Sequence, residues 1–265
     1  MKTDAMHRRD SRPKFHFLLM GILLLLFLTT CAGWPSSKRP LARFDSSHGE
    51  IFSVFGDGPL DYTAFGQMMR EAGFDVIEPA EPITDTSLKN LRLLVIAGPT
   101  RPYEHREVQT IRQFVEDGGR LLVLLHIAPP VARLTETFGI FVSNFVVSEH
   151  EGSIGGKAQD FYVTRFIPHP VATDVSRIAV FGSWGLMAEA PAVVVAETSD
   201  DAWVDFDRNG LLNSDEPRQS FGILAVVKYG DGRMVVVADD APFATRFLDE
   251  GDNRKLAENI VHWLK

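Results

Sequence analysis

Residues 92–127 read RLLVIAGPTRPYEHREVQTIRQFVEDGGRLLVLLHI, and this stretch decides the predicted fold. It contains two unbroken apolar runs, 93–97 and 121–125, with an amphipathic segment between them. Apolar side chains recur in that segment with a helical period, and Gly118-Gly119 ends it. Apolar runs that alternate with amphipathic helices are typical of parallel strands covered on both faces. The stretch therefore predicts a strand, a helix and a second, parallel strand.

The same alternation extends outward from this central unit. A helical pattern covers 60–73, and a turn at Gly230-Asp231-Gly232 predicts a hairpin between two apolar runs. The further predicted strands are 51–55, 74–79, 190–198, 221–230 and 233–239. The sequence predicts one α/β domain over residues 50–265, with a doubly wound, mostly parallel sheet of the flavodoxin-like kind. Some antiparallel strands are expected in its C-terminal half.

The N-terminal segment, 1–33, is typical of an export signal or membrane anchor. A basic stretch precedes the apolar residues 17–28, and the chain's only cysteine, Cys31, follows them. Twelve apolar residues suit a signal peptide, whereas a spanning helix needs about 20. Residues 28–31 (LTTC) resemble a bacterial lipoprotein signal with Cys31 as the lipidated residue, although Thr30 departs from that pattern. An uncleaved anchor and ordinary secretion stay open as alternatives.

All three alternatives place the domain outside the cytoplasm, in the cell envelope or periplasm, because the positive residues stay inside. Residues 34–49 are rich in proline, serine and charge, which predicts a flexible tether. The chain carries 27 Lys and Arg against 35 Asp and Glu, a net charge of −8. Nucleic acid is not an expected partner, because an acidic protein is repelled by phosphate backbones. With one cysteine the chain forms no internal disulfide.

Four motifs of the chain resemble the class I glutamine amidotransferase-like fold. They are EDGGRLLVLL (116–125), HPVATDV (169–175), GDGRMVVVADDAPF (230–243) and DNRKLAENIVHWL (252–264). The resemblance covers most of residues 50–265 and is closest to non-amidotransferase branches, in bacterial domains of unknown function and auxiliary proteins of gliding-type transport. Amidotransferases place a nucleophilic cysteine on a sharp turn after a strand, where this chain has LLHIAPP. The resemblance therefore implies a binding domain without glutaminase activity.

The segment DFDRNGLLNSDE, 205–216, has the residue spacing of a calcium-binding loop. Gly210 allows its sharp turn, and strand-like flanks argue against a complete EF-hand. The predicted ligands of a structural Ca²⁺ are the side chains of Asp205, Asp207, Asn209 and Glu216 and the backbone carbonyl of Leu211. The alternative is an acidic surface loop in which Asn209-Gly210 makes an ordinary turn.

A ligand site is predicted beyond the carboxyl ends of the strands, where α/β folds bind their ligands. Its predicted residues are Asp57, Thr100, Arg101, His126 and Asp239. Arg101 suits an acid or a pair of hydroxyl groups, and the alternative is a surface ion pair with Glu104.

The leading hypothesis is a membrane-tethered, non-enzymatic envelope domain that binds a partner protein or a small ligand. The alternative is an envelope hydrolase that acts on a sugar or ester through a histidine and carboxylate site. Its residues would come from His126, His150, His169, Glu149, Glu151 and the pair Asp239-Asp240. No two of these histidines have a metal-binding spacing such as H-x-H.

Overall fold

The computed structural model describes residues 38–206, 209 and 211–265. The strands are β1 (Leu41–Phe44), β2 (Asp75–Ile77), β3 (Leu91–Ala97), β4 (Arg120–Leu124), β5 (Ile140–Ser148), β6 (Ser153–Ile154), β7 (Lys157–Val163), β8 (Arg165–Phe166), β9 (Ile178–Phe181), β10 (Trp184–Ala188), β11 (Val193–Glu197), β12 (Trp203–Val204), β13 (Gly222–Tyr229) and β14 (Gly232–Val237). The helices are α1 (Thr63–Glu71), α2 (His105–Glu116), α3 (Ala132–Glu136) and α4 (Asn253–Leu264), with 3₁₀ turns at Pro129–Val131, Pro170–Ala172 and Ala241–Phe243.

The central strand–helix–strand unit is confirmed. Strands β3 and β4 pair in parallel, with Leu94 opposite Leu121. Helix α2 connects them, and its first turn is closed by the backbone N–H of Glu104, which donates to Glu107 Oε2 at 3.0 Å. The helix buries its apolar face, which includes Ile111, against the sheet.

Strand β1 lies inside the segment predicted to be a tether, 34–49. It pairs in parallel with both β2 and β3, and Ala42 and Phe44 are fully buried. The compact unit that contains it runs from Arg39 to Lys265, so the domain begins before the predicted residue 50. The predicted strand at 51–55 forms bends and loop instead.

The main sheet is mixed, and the predicted doubly wound, mostly parallel α/β sheet of the flavodoxin-like kind is wrong. Among the described residues, eleven strands form this sheet, in the order β12-β5-β10-β13-β14-β4-β3-β1-β2, with β11 and β8 branching from β13. Four parallel pairs join β2, β1, β3, β4 and β14. The six other pairs are antiparallel.

The sheet changes from antiparallel to parallel pairing at the predicted hairpin between β13 and β14. Tyr229 lies opposite Gly232 there, and Gly230 has a φ of 56°, which a glycine adopts without steric cost. Both strands are buried over most of their length. A strand buried on both faces reads as an unbroken apolar run whether its neighbours are parallel or antiparallel, which explains the error in the predicted sheet.

A second sheet has the order β6-β7-β9, and Phe181 at the end of β9 donates its backbone N–H to Asp239, which follows β14. Asn253 at the start of α4 fixes β9, because its Oδ1 accepts from Ala179 N–H at 2.9 Å and its Nδ2 donates to Ala179 O at 3.1 Å. In the described part of the chain, no helix combines the length and the hydropathy that crossing a bilayer requires. The predicted export segment, 1–33 with Cys31, lies outside the described residues.

A substitution at Gly232 tests how far the stability of the fold depends on the close packing of the β13–β14 hairpin. A Cβ at this position would lie 1.9 Å from Val115 O and 2.6 Å from Gly119 O, and backbone atoms cannot swing aside. We expect Gly232→Ala to lower the free energy of unfolding by about 3 kcal/mol in chemical denaturation. The exposed neighbour Asp231 is the control, because Asp231→Ala should cost less than about 0.5 kcal/mol. Equal losses in the two variants would contradict this account.

Candidate functional site

Two groups of titratable side chains lie beyond the carboxyl ends of the parallel strands. The His126 cluster follows β4 and β14 and consists of Tyr62, His126, Asp239 and Asp240. The His48 cluster follows β1 and consists of Asp45, Ser47, His48, Glu50, Tyr103 and Glu107. Parallel strands bring such side chains to one edge of the sheet, where ligand sites gather.

In the His126 cluster, Asp240 orients the histidine ring. His126 Nδ1 lies 3.3 Å from Asp240 Oδ1, and the hydroxyl of Tyr62 donates to Asp240 Oδ2 at 2.7 Å. The backbone of His126 is fixed as well, because Trp184 Nε1 donates to its carbonyl oxygen at 3.2 Å. The carboxylate, the phenol and the indole together hold the imidazole in one orientation.

Gly98, at the end of β3, allows this cluster to pack closely. A Cβ at Gly98 would lie 2.9 Å from His126 Cβ and 3.1 Å from Asp240 Oδ2, and its φ is 64°. A larger residue would therefore push the histidine and the carboxylate apart, so the glycine is required for their contact.

Burial and like charge shift the proton affinities in the His126 cluster. Burial and the neighbouring Asp240 raise the pKa of Asp239 to about 8, although its oxygens accept from Phe181 N–H at 2.5 Å and Ala241 N–H at 2.9 Å. The hydrogen bond to Asp240 raises the pKa of His126 against the opposing effect of burial. Asp239 and His126 therefore both bind a proton more tightly than the same side chains would in water.

A cavity of about 300 Å³ opens beside His126. Its lining residues are Phe52, Leu60, His126, Phe181, Asp240, Ala241, Ala244, Arg246 and Phe247. The rings of Phe181 and Phe247 stack with centroids 4.0 Å apart, and Phe52 meets the His126 ring edge-on at 5.5 Å. Among the described residues, no hydrogen bond involves Nε2 of His126, whose side chain is 36 % exposed.

In the His48 cluster, the ring is held between two carboxylates. Nδ1 lies 2.6 Å from Asp45 Oδ2, Nε2 lies 3.1 Å from Glu107 Oε2, and the ring stacks on Tyr103 with centroids 3.8 Å apart. Asp45 also accepts hydrogen bonds from the Tyr103 hydroxyl at 2.7 Å and from Ser47 Oγ at 2.8 Å. The pKa of His48 is raised because these carboxylates outweigh burial, which acts to lower it.

Glu50 completes this cluster with one oxygen that has no partner. Its Oε2 accepts from the backbone N–H of His48 at 2.8 Å, whereas Oε1 is buried and accepts no hydrogen bond from any described residue. Burial and the charge of Asp45 raise the pKa of Glu50 to about 7. Burial also acts to raise the pKa of Asp45, but hydrogen bonds from His48, Tyr103 and Ser47 outweigh it and lower the pKa.

The structure divides four of the five predicted ligand-binding residues between the two clusters. His126 and Asp239 belong to the His126 cluster. Thr100 and Arg101 adjoin the His48 cluster, since Thr100 Oγ1 donates to Gly49 O at 2.8 Å and Arg101 Nη2 donates to Ser47 O at 2.7 Å. Asp57 is exposed in the loop before α1.

Arg101 therefore holds the loop after β1, and within the described residues it forms no ion pair with Glu104. Sequence reasoning missed Tyr62 and the residues of the His48 cluster. Asp45 and His48 fall in the segment assigned to the tether, yet the polar run DSSHGE (45–50) directly follows the apolar residues of β1. That position, at the end of a buried strand, is the signal that identifies them.

The three histidines of the hydrolase alternative lie apart. The ring of His150 packs on Trp203 with centroids 4.3 Å apart, and that of His169 packs on Trp263 at 5.2 Å. His169 Nδ1 also accepts from Val171 N–H at the start of a 3₁₀ turn. Both rings have structural contacts, and only His126 lines the cavity at the strand ends.

The described part of the predicted calcium loop is ordered around its two outermost carboxylates. Asp205 and Glu216 are each only 8 % exposed. Asp205 Oδ1 accepts from Asn209 N–H at 3.1 Å, and Glu216 accepts from Phe206 and Asn213 N–H, both at 2.8 Å. Leu211 N–H donates to Asn209 Oδ1 at 2.7 Å. The predicted ligand Asp207 and the turn residue Gly210 lie outside the described residues.

Comparison with known proteins identifies a family for most of the domain. A family model described as "Domain of unknown function (DUF4350)" matches residues 57–261. No curated protein matches the sequence.

Solved structures share the fold at low sequence identity. A structure titled "mmIFT52 N-terminal domain" is 19% identical with a TM-score of 0.69, covering 84% of this chain and 96% of its own. A cytoplasmic protein, STM1381, from Salmonella typhimurium LT2 is 16% identical with a TM-score of 0.55, and the match covers 85% of this chain and 99% of that protein. A ThuA-like protein from Bacteroides uniformis is 13% identical with a TM-score of 0.52, covering 88% and 94%. Identities this low show the fold alone.

The raised pKa of Asp239 predicts a specific dependence of stability on pH. With a folded pKa of about 8, Asp239 keeps its proton while an unfolded aspartate, at about 3.9, has lost it. The contribution of Asp239 to the free energy of unfolding should therefore fall as pH rises from about 4 to about 8, and level off above. Asp239→Asn cannot ionise, so its stability relative to the natural protein should rise over this interval by a few kcal/mol.

Urea unfolding at several pH values between 4 and 9 measures this difference. The exposed Asp57→Asn is the control and should keep the pH dependence of the natural protein. The comparison uses slopes, so a constant loss of stability in Asp239→Asn does not affect it. Parallel pH profiles for the natural protein and Asp239→Asn would refute the assignment.

Proposed function

The chain belongs to the DUF4350 family, and we propose that it is a non-enzymatic binding domain of the bacterial cell envelope that holds a small ligand at the His126 cluster. The cavity of about 300 Å³ beside His126 is the observation that carries this proposal. Aromatic walls with a few convergent polar groups are the usual composition of a ligand pocket. The cavity lies at the carboxyl ends of β4 and β14, where ligands of α/β sheets bind.

The cavity suits a small, uncharged molecule with one apolar face and a hydroxyl group. Its volume is at the lower limit of typical pockets, which corresponds to roughly ten non-hydrogen atoms. Phe52 and Phe247 offer ring surfaces, and His126 Nε2 offers a hydrogen bond. A ligand carboxylate would face the buried Asp240, whereas a hydroxyl group can donate to or accept from the imidazole in either protonation state.

The absence of a sulfur nucleophile supports a binding role. Cys31 is the only cysteine of the chain, and β4 is followed by Leu125-His126 where amidotransferases carry their nucleophile. A relationship of these motifs to non-catalytic branches of the amidotransferase-like proteins is part of the proposal. It is supported by the motif 230–243, which forms β14 and then supplies Asp240 to the cavity and Asp239 to the His126 cluster.

The envelope location rests on the N-terminal sequence. A basic stretch, the apolar residues 17–28 and Cys31 would export the domain and attach it to the membrane by a lipid or by an uncleaved helix. The membrane is then the first partner of the protein, and a partner protein in the envelope is the second.

A structural Ca²⁺ in the loop 205–216 is the further element of this proposal. Asp205 and Glu216 are buried, and their carboxylate oxygens accept hydrogen bonds from backbone N–H groups of the same loop, which holds both side chains in place. An exported protein meets enough calcium to fill a site with a dissociation constant of about 0.1 to 1 mM.

Hydrolysis is the second candidate function, because one observation favours it. A histidine whose Nδ1 is held by a carboxylate, and whose Nε2 faces a cavity, has the arrangement of a general base. No serine, threonine or cysteine lines that cavity among the described residues, so the base would act on water.

Binding of simple probes tests the proposed ligand site. We expect phenol and benzyl alcohol to bind the full-length protein with a Kd of about 1 mM, or about 4 kcal/mol, in saturation-transfer NMR. His126→Ala and Phe247→Leu should each weaken binding at least about fivefold. The control is Phe55→Leu, because Phe55 is an exposed ring that does not line the cavity. Unchanged probe affinity in both cavity variants would refute the site.

The same protein, assayed with nitrophenyl esters, phosphates and glycosides, separates the two candidate functions. The binding proposal expects no turnover above the buffer rate. Turnover that is abolished in His126→Ala would establish the hydrolase instead.

Calcium binding is tested by thermal unfolding. We expect 5 mM Ca²⁺ to stabilise the full-length protein by about 1 to 2 kcal/mol, as linkage gives for a Kd of about 0.5 mM, and Mg²⁺ to have little effect. The double variant Asp205→Ala with Glu216→Ala should lose this stabilisation. The exposed Asp215→Ala, in the same loop, is the matched control and should keep it. An equal calcium effect in the double variant would show that the ion binds elsewhere.

A further inference from the structure

We propose a metal site at the His48 cluster, in which Asp45, His48 and Glu50 together bind one divalent transition metal ion of the zinc class. One ligand atom from each residue lies within 4.8 Å of the other two. The three residues follow β1 within six positions, so a rigid, buried strand places all of them. This site is separate from the His126 cavity and does not depend on the ligand proposed there.

The donor set selects the kind of ion. One imidazole nitrogen with two carboxylate oxygens suits Zn²⁺ and its neighbours in the first transition series. Calcium and magnesium prefer sites made entirely of oxygen, as in the loop 205–216. Three protein ligands leave a fourth position for water or for a small anion.

Glu50 is the observation that points most directly to an ion. Its Oε1 is buried and receives no hydrogen bond from the described residues, while Oε2 is held by His48 N–H at 2.8 Å. A buried carboxylate oxygen without a partner is costly, and structures usually satisfy such atoms. A metal ion is the partner that the neighbouring His48 and Asp45 also fit.

The atoms around the three ligands are already arranged as outer support. Glu107 Oε2 lies 3.1 Å from His48 Nε2, which leaves Nδ1 as the coordinating nitrogen. Tyr103 and Ser47 donate to Asp45 at 2.7 and 2.8 Å and fix its rotamer. A carboxylate behind a metal-bound histidine, and hydrogen bonds to a metal-bound carboxylate, are the usual companions of such ligands.

A divalent ion would offset the negative charge of this cluster. When ionised, Asp45, Glu50 and Glu107 carry three negative charges. The buried Arg43 lies 3.8 Å from Asp45 Oδ1 and 3.5 Å from the exposed Glu81, so it offsets only part of that charge. His48 Nδ1 and Asp45 Oδ2 are 2.6 Å apart and share a proton, so coordination by both requires them to separate by about 1 Å or less.

The site is also accessible. His48 and Glu107 line an open cavity of about 610 Å³, whose walls carry Arg101 and Arg106. Solvent therefore reaches the His48 ring through this cavity, although Asp45 and Glu50 do not line it.

Zinc titration of the full-length protein tests this proposal. After treatment with a chelator, equilibrium dialysis against Zn²⁺ alone should give about one ion per chain at the tightest site. Glu50→Gln keeps the shape of the side chain and should weaken that binding at least about tenfold, and Glu107→Gln about 10- to 100-fold. The matched control is Glu104→Gln on the wall of the same cavity, which should bind as the natural protein does.

The absorption spectrum of bound Co²⁺ provides a second measurement, which does not depend on the affinity of the site. Co²⁺ in the site should show visible absorption bands that Zn²⁺ removes and that are missing in Glu50→Gln. Metal-free Glu50→Gln should unfold at the same denaturant concentration as the metal-free natural protein, which excludes misfolding as the cause. No stoichiometric binding, or equal Zn²⁺ affinity in Glu50→Gln and the natural protein, would overturn the proposal.

Discussion

Strand β14 joins the two halves of the protein, because it pairs in parallel with β4 on one side and antiparallel with β13 on the other. Its register with β4 places Val237 opposite Leu124, so the residues that follow both strands leave the sheet side by side. His126 and Asp240 meet for this reason, although they are 114 positions apart in the chain. The cavity, the raised pKa of Asp239 and the orientation of the imidazole all depend on this one pairing.

The two clusters lie at the same edge of the sheet but stabilise their buried ionisable groups in different ways. At the His126 cluster, two adjacent carboxyl groups lie behind aromatic rings, and burial favours the protonated form of Asp239. At the His48 cluster, carboxylates lie beside an imidazole and a buried guanidinium, and hydrogen bonds outweigh burial at Asp45 but not at Glu50. The first environment suits an uncharged organic molecule, and the second suits a cation. A domain with both could hold a small ligand and a metal ion independently.

Hydrogen bonds from buried polar groups also explain how this acidic domain buries several of its carboxylates. Two buried carboxylates at the strand ends accept hydrogen bonds from phenols, Asp240 from Tyr62 and Asp45 from Tyr103. These phenols are themselves buried, and burial with the neighbouring carboxylates raises their pKa well above the ordinary value, so they remain donors at all physiological pH values. Hydrogen bonds from permanently protonated groups allow the acids to stay inside without exposing the core to water.

The sequence alone determined the strand–helix–strand unit, the β13–β14 hairpin and the absence of a cysteine nucleophile in the domain, since periodicity, turn residues and composition are local properties. It also pointed to His126 and Asp239 as neighbours at the strand ends. Only the tertiary structure decided that the sheet is mixed, that residues 41–44 belong to it, and that Thr100 and Arg101 lie with His48 rather than His126. Strand direction and long-range pairing depend on which distant segments share hydrogen bonds, and an apolar run looks the same in either direction.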